Sequence, residues 1–302
     1  MKQYIGFDIG GTKCAVILGD ETGAVLRREA FATPQGYQAT LAQLLAIACP
    51  MAPTSTAVGI SCGGPLDSKR GIVQSPPNLP GWDDVPIVAD VQAALDLPVY
   101  LQNDANACAL AEWRFGAGMG ARNMIFLTFG TGLGAGLILD GKLYTGTSDL
   151  AGEVGHMRMS EDGPPGYGKL GSWEGYCSGA GIARQAQALL DTVAEKPSWA
   201  HEVSAKTVCQ AANAGDQLAL QVIRQSAERL GQGLAILIDI LNPECIVIGS
   251  VYARAEELFR DITWQVVERE ALPLAAKVCR VNIAALGDHI GDVAALTVAM
   301  GG

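Results

Sequence analysis

At 302 residues, 49% of them hydrophobic and only 17% charged, the chain has the makeup of a folded globular protein with room for two compact domains. Its net charge of −10 comes from 21 basic against 31 acidic residues, without a concentrated Lys/Arg run, so the electrostatic footprint needed for DNA or anionic lipid is missing. A disordered chain and a nucleic-acid binder are both set aside on these grounds.

In chain order, an apolar run at 3–7 leads into Asp8-Ile9-Gly10-Gly11-Thr12-Lys13 and returns at 14–18, which predicts a strand, a glycine turn and a second strand. Asp20-Glu-Thr-Gly23 supplies the next turn. Apolar runs at 57–61 and 98–102 then alternate with helix-like stretches at 38–49, 88–95 and 105–115, the pattern of an α/β domain with a mixed sheet. Gly116-Ala-Gly-Met-Gly120 reads as a hinge, so an N-terminal domain of residues 1–118 and a C-terminal domain of 119–289 are expected. A final helix at about 290–302 is expected to pack back on the first domain.

The second domain restarts with strands at 123–129 and 134–139 around Thr128-Phe129-Gly130-Thr131-Gly132-Leu133-Gly134, followed by a turn at Asp140-Gly141. A loop rich in Gly and Pro covers 157–173. Leu218, Leu220, Val222, Ile223, Leu230 and Leu234 keep close to helical spacing and predict a helix over 216–240, stopped before Asn242-Pro243. Cys245-Ile-Val-Ile248 is then a buried strand whose Gly249 opens the next helix, a geometry suited to a nucleotide.

The two glycine turns, 120 residues apart at Gly10 and Gly130, sit in the same strand–turn–strand frame and point to an internal duplication. They read as two halves of a phosphate clamp, because glycine lets backbone N–H donors approach phosphate oxygens closely. Gly10, Gly11, Thr12, Gly130, Thr131 and Gly132 are the candidate cradle. Asp8 is either a turn former or the anchor of a hydrated Mg²⁺, which prefers oxygen ligands and keeps its waters. Lys13 either approaches a phosphate or is a solvated surface charge.

Asn103-Asp104 falls where a strand meets a helix, the end of an α/β sheet at which ligands bind. Asp104 is therefore either a catalytic carboxylate or an ordinary N-cap. Gly152-Glu153-Val154-Gly155-His156, with Glu174 farther on, supplies carboxylates and an imidazole that suit vicinal hydroxyls. Ser75-Pro-Pro-Asn78-Leu-Pro-Gly-Trp82 is read as a rigid loop presenting an amide and an aromatic ring to a sugar.

No basic, apolar and small-residue succession marks a secretory signal, which places the chain in the cytoplasm. Stretches such as Leu234 to Leu241 fall short of the roughly 20 apolar residues that span a bilayer. The eight cysteines are scattered, without Cys-x-x-Cys spacing, and read as buried reduced thiols; with three histidines, none has zinc-cage spacing.

Together the segments Asp8-Ile-Gly-Gly-Thr-Lys13, Pro77-Asn-Leu-Pro-Gly-Trp82, Asn103-Asp-Ala-Asn-Ala107, Gly130-Thr-Gly-Leu-Gly134 and Gly152-Glu-Val-Gly-His156 resemble, in this order and over nearly the whole chain, the ROK family of sugar kinases and repressors. The resemblance implies a two-domain actin-like ATPase (ribonuclease H-like) α/β fold with mixed sheets and a cleft between domains. It implies a kinase that phosphorylates a hexose or hexosamine, usually at the 6-hydroxyl, from Mg-ATP, and a homodimer. On that reading Asp104 is the general base, and Asn78, Asn103, Glu153, His156 and Glu174 hold sugar hydroxyls. Asp8, Gly10, Gly11, Thr12, Lys13, Gly130, Thr131 and Gly132 attend the phosphates and Mg²⁺, and Gly249 lies near the adenosine. Glucose, N-acetylated hexosamines, mannose, fructose, allose and glycosides all stay open as substrates.

Two departures stand out. Family members commonly follow this His with a cysteine-rich zinc site, whereas here the run is Gly163-Pro-Pro-Gly-Tyr-Gly-Lys-Leu-Gly171, so no structural zinc is expected and His156 loses its metal partner. Gly249-Ser250-Val251 also replaces a run of glycines. The rival functions are a catalytically silent sugar sensor, a DNA-binding repressor, disfavoured by the acidic charge, and another ATPase of the same fold, disfavoured by the sugar motifs.

Overall fold

The computed structural model describes residues 2–301. Two compact units emerge, Met1–Gly120 with Gly136–Ala151 and Ala285–Gly302, and Ala121–Ala135 with Gly152–Ala284. Each is built on its own hydrophobic layers.

In the first unit, β1 (Gln3–Ile9), β2 (Lys13–Asp20) and β3 (Val25–Ala32) form an antiparallel meander. Helix α1 (Tyr37–Ala48) leads to β4 (Ser55–Cys62), parallel to β1, and then to a two-strand ribbon of β5 (Leu66–Asp67) and β6 (Ile72–Val73). Helix α2 (Ile87–Leu95) returns the chain to β7 (Val99–Asn103), parallel to β4, which passes directly into α3 (Asp104–Phe115). The sheet order is β3-β2-β1-β4-β7. Residues 4–7 of β1 are buried without interruption because the sheet is covered on both faces. Ile5, Phe7, Val16, Val58 and Ile60 face the α1 and α2 layer.

Trp82 corrects the sequence reading. It is 1% exposed, stacked edge-on to Tyr37 at 5.1 Å within this core, and presents no ring to a ligand. Its loop is Pro-rich, but Leu79 and Trp82 both point inward and anchor it.

The second sheet repeats the plan. Strands β8 (Met124–Phe129), β9 (Leu133–Leu139) and β10 (Lys142–Leu143) come first, with Asp140 (φ 52) and Gly141 (φ 71) both left-handed between β9 and β10, as a two-residue type I′ turn requires. Helices α4 (Trp173–Tyr176), α5 (Gly179–Leu190), α6 (Ala205–Asn213) and α7 (Gln217–Leu241) follow. Asp216 caps α7 by accepting the Ala219 N–H at 2.9 Å, and left-handed Asn242 (φ 43) ends it before Pro243. Then come β11 (Cys245–Ile248), α8 (Ser250–Arg254), α9 (Glu256–Glu270), α10 (Pro273–Val278) and β12 (Arg280–Ile283). The order β10-β9-β8-β11-β12, with β11 parallel to β8 and to β12, reproduces the first sheet strand for strand.

The chain ends in α11 (Ile290–Ala299), part of the first unit. Its Ala295 lies directly on the sheet: a Cβ at position 59 of β4 would stand 2.2 Å from the Ala295 carbonyl oxygen, so only glycine fits there. Val293, Ala294 and Val298 pack against Ala107 and Ala111 of α3. All eight cysteines are free thiols, but Cys49 is exposed and Cys108 half-buried, contrary to a uniformly buried set. No helix among the described residues is long and apolar enough to cross a membrane.

Candidate active site

Each unit carries its own share of the predicted residues. In the first, the turn between β1 and β2 is closed by the Gly10 N–H donating to the Lys13 carbonyl at 3.1 Å. Gly11 faces the loop of Asn78 so closely that a Cβ would stand 2.5 Å from the Asn78 carbonyl oxygen. The predicted phosphate turn and the predicted sugar amide are thereby brought together. Thr12 and Lys13 are exposed beside them.

Strand β4 is followed directly by Gly63-Gly64, which the sequence reading passed over. Ideal Cβ positions on these two glycines fall 3.5 Å from Asn78 Nδ2 and 3.2 Å from Asn103 Nδ2, so both predicted sugar amides converge on this bare stretch of backbone. A Gly-Gly-Pro run directly after an apolar strand was the available signal.

The cap at the β7–α3 junction is Asn103, whose Oδ1 accepts the Ala105 N–H at 3.0 Å. Asp104 is therefore the first helical residue, exposed, with its Oδ1 also accepting the Ala105 N–H at 2.8 Å. Capping engages the oxygen of Asn103 and leaves its Nδ2 turned to Gly64. Buried Gln102 braces the junction, its Oε1 accepting from the Asn103 N–H at 2.9 Å and from Asn106 Nδ2 at 3.1 Å.

Asp8 stands at the far end of β1 against the start of α11, where a Cβ on Gly291 would lie 2.8 Å from its Oδ2. Burial pushes its carboxyl up to about 6, the charges of Asp292 and Asp104 push the same way, and Arg28 and Lys13 oppose them. Arg28 meanwhile grips Asp292 with Nε at 2.8 and 2.9 Å from the two carboxylate oxygens. Asp292 and Arg28 are components that the sequence reading missed.

Folded Asp8 holds its proton more tightly than the unfolded chain does, so its ionisation costs stability as the pH rises from about 4 through 6. Asp8→Asn should therefore be more stable than the parent above pH 6, by up to about 3 kcal/mol, with the gap closing toward pH 4. Urea unfolding at pH 4, 5, 6 and 7.5 measures this; a gap that does not change with pH would contradict it.

In the second unit, the turn between β8 and β9 is closed by the Gly130 N–H to the Gly132 carbonyl at 3.0 Å. The Gly130 carbonyl in turn accepts from the Gly179 N–H at 2.7 Å, at the start of α5. Ser250 lies on the other side, its Oγ 3.6 Å from the ideal Cβ position of Gly130. Gly249 continues the pairing with β8 through its N–H to the Leu127 carbonyl at 2.9 Å, and Ser250 then turns into the left-handed region (φ 57). Glycine turn, α5 start and Gly249-Ser250 thus share one end of the sheet, the carboxyl end of β8 and β11.

Glu174 lies beneath this turn, its Oε2 accepting the Leu133 N–H at 3.0 Å, so one of its oxygens supports the turn. The two glycines of Gly152-Glu-Val-Gly-His156 have a packing reason. Ideal Cβ atoms on Gly152 and Gly155 would stand 2.1 Å from the Ala135 carbonyl and 2.3 Å from the Leu133 carbonyl. This close approach to β9 turns Glu153 and His156 outward, where both are exposed.

Among the described residues, no three His, Cys, Asp or Glu side chains are grouped to hold a metal ion. The run between His156 and Trp173 supplies no thiolate and does not fit a zinc cage. Asp8 does fit a Mg²⁺ held largely through waters and phosphate oxygens, because it is a partly buried carboxylate on which Asp292 and Asp104 also act.

The duplicated sheet plan, with a glycine turn and a helix start at one end of each sheet, defines a two-domain actin-like ATPase fold with mixed sheets. Residues 4–301 match the ROK family, and the chain belongs to it. It is 35% identical over 273 residues to a glucokinase of Streptomyces coelicolor, covering 86% of each chain. A xylose repressor of Caldicellulosiruptor bescii is 31% identical, over 95% of this chain and 75% of that one. Among solved structures, a ROK family glucokinase from Streptomyces griseus in complex with glucose and AMPPNP superimposes with a TM-score of 0.81 at 34% identity, over 99% of this chain and 100% of that one.

Proposed function

We propose that this chain transfers a phosphoryl group from ATP to a hydroxyl of a hexose or hexosamine, the 6-hydroxyl, with Asp104 as general base. The observation that carries this reading is local. The N-cap duty at the β7–α3 junction falls to Asn103, and Asp104 is left exposed at the first position of the helix within electrostatic reach of Asp8. An exposed carboxylate at this strand–helix junction can accept a hydroxyl proton.

Asn78 and Asn103, which face Gly63-Gly64, fix sugar hydroxyls on this reading, as do Glu153, His156 and Glu174. The backbone N–H groups of the glycine turns at Gly10–Thr12 and Gly130–Gly132 hold phosphate oxygens, with Lys13 at the edge of the first, and Gly249 lies near the adenosine. Asp8 would hold Mg²⁺ through water, and the ion would supply positive charge against the phosphates. Positioning and charge neutralisation carry most of such a transfer, so the chain needs few groups that do chemistry. The similarity to glucokinases supports the reading. The chain acts in the cytoplasm as a homodimer on this reading.

ADP release from Mg-ATP across a panel of hexoses, hexosamines and β-glucosides tests it. Turnover that depends on one of these sugars is the expected result. Sugar binding without turnover by any of them would favour a sensor, in line with the similarity to a repressor.

A further inference from the structure

Between His156 and Trp173 the chain is closed by its own hydrogen bonds. Met159 N–H donates to the Gly171 carbonyl at 2.7 Å, Gly171 N–H to the Gly163 carbonyl at 3.2 Å, and Trp173 N–H to the Met157 carbonyl at 2.7 Å. Arg158 Nη1 adds a bond to the Leu170 carbonyl at 2.8 Å. At the tip, Gly166 and Lys169 exchange N–H to carbonyl bonds of 3.1 and 3.0 Å around Tyr167 and Gly168.

Both central residues of this turn are left-handed, Tyr167 at φ 51 and Gly168 at φ 73. Glycine takes that conformation freely, whereas a bulky tyrosine is disfavoured there, where Asn or Asp is usual. Burial does not account for the choice either, since Tyr167 is 63% exposed. What the turn achieves is contact with His156. The Tyr167 ring meets the imidazole edge-on with centroids 4.9 Å apart and planes at 62°, and Lys169 Nζ donates to the His156 carbonyl at 2.6 Å.

We propose that Tyr167 and Lys169 are positioning residues that clamp the ring and the backbone of His156 for sugar binding, the service that a zinc site would otherwise give this loop. The inference rests on the sugar-binding role of His156 proposed above. An edge-to-face ring contact selects one imidazole orientation, because the ring quadrupole favours a particular approach. The lysine tether fixes the backbone from which that ring projects.

NMR of the histidine ring protons in the full chain tests the clamp without reference to turnover. Three histidines, His156, His201 and His289, are easily distinguished by substitution. Ring-current shifts on the His156 protons are expected in the parent and in Tyr167→Phe, and should be lost in Tyr167→Ala. In kinetics, Tyr167→Ala and Lys169→Met should raise the sugar KM about 3- to 10-fold, with a smaller effect on kcat and with Tyr167→Phe near the parent value. Equal His156 shifts in the parent and Tyr167→Ala, with matching melting temperatures, would overturn the clamp. A sugar KM unmoved in both variants would overturn its role in binding. If no sugar is turned over by the parent while the ring-current pattern appears, the kinase reading fails and the clamp stands.

Discussion

Asp104→Asn should abolish sugar-dependent ADP release, lowering kcat by about 10²-fold or more, while the sugar Kd stays within about threefold of the parent. The substitution is nearly isosteric, and the cap of α3 is supplied by Asn103, so the helix start should survive it. On the proposed reading, what is lost is the anionic oxygen that takes the hydroxyl proton as the new bond to phosphorus forms. An amide cannot accept that proton at neutral pH, but it still offers hydrogen bonds to the sugar. Calorimetric sugar binding beside coupled ADP-release kinetics separates the two effects. A variant with near-parental kcat would move the base to another residue.

Glu112→Leu should destabilise the protein by about 3 kcal/mol or more, the largest stability loss we expect from a single side chain outside the site. Glu112 is fully buried near the end of α3 and accepts three backbone N–H groups. Its Oε2 takes those of Ala117 at 2.8 Å and Ala285 at 3.1 Å, and its Oε1 takes that of Leu286 at 2.9 Å. This carboxylate ties the end of α3 to the segment that precedes α11, within the first unit. Leucine fills much the same volume but strands three buried donors, whereas Glu112→Gln keeps one acceptor and should cost less. Urea denaturation of both variants checks the order. Equal stabilities for the leucine variant and the parent would show that water satisfies the three groups.

The contrast between Asp104 and Glu112 also shows where a sequence is legible. Asp104 sits in a local pattern, an apolar strand followed by a polar pair and a helix, and that pattern is set by backbone preferences within about ten residues. Glu112 has no such signature, because its partners at 285 and 286 lie far along the chain. Trp82 was misread for a related reason: its Pro- and Gly-rich neighbours fit a surface loop, and only packing against Tyr37 reveals the ring as core.

By itself, the sequence determined the duplicated strand–turn–strand frames, the glycine turns at Gly10 and Gly130, the helix over most of 217–241 and the motifs that mark the family, since each is written in local periodicity, turn chemistry or contiguous residues. Tertiary structure alone decided that Asn103 is the cap and that Glu174 braces the turn of Gly132. It also brought Asp8 within electrostatic reach of Asp104 and Asp292, and folded Tyr167 onto His156. Those outcomes depend on which distant groups share a small volume, and hence on burial and charge that no short window of the chain contains.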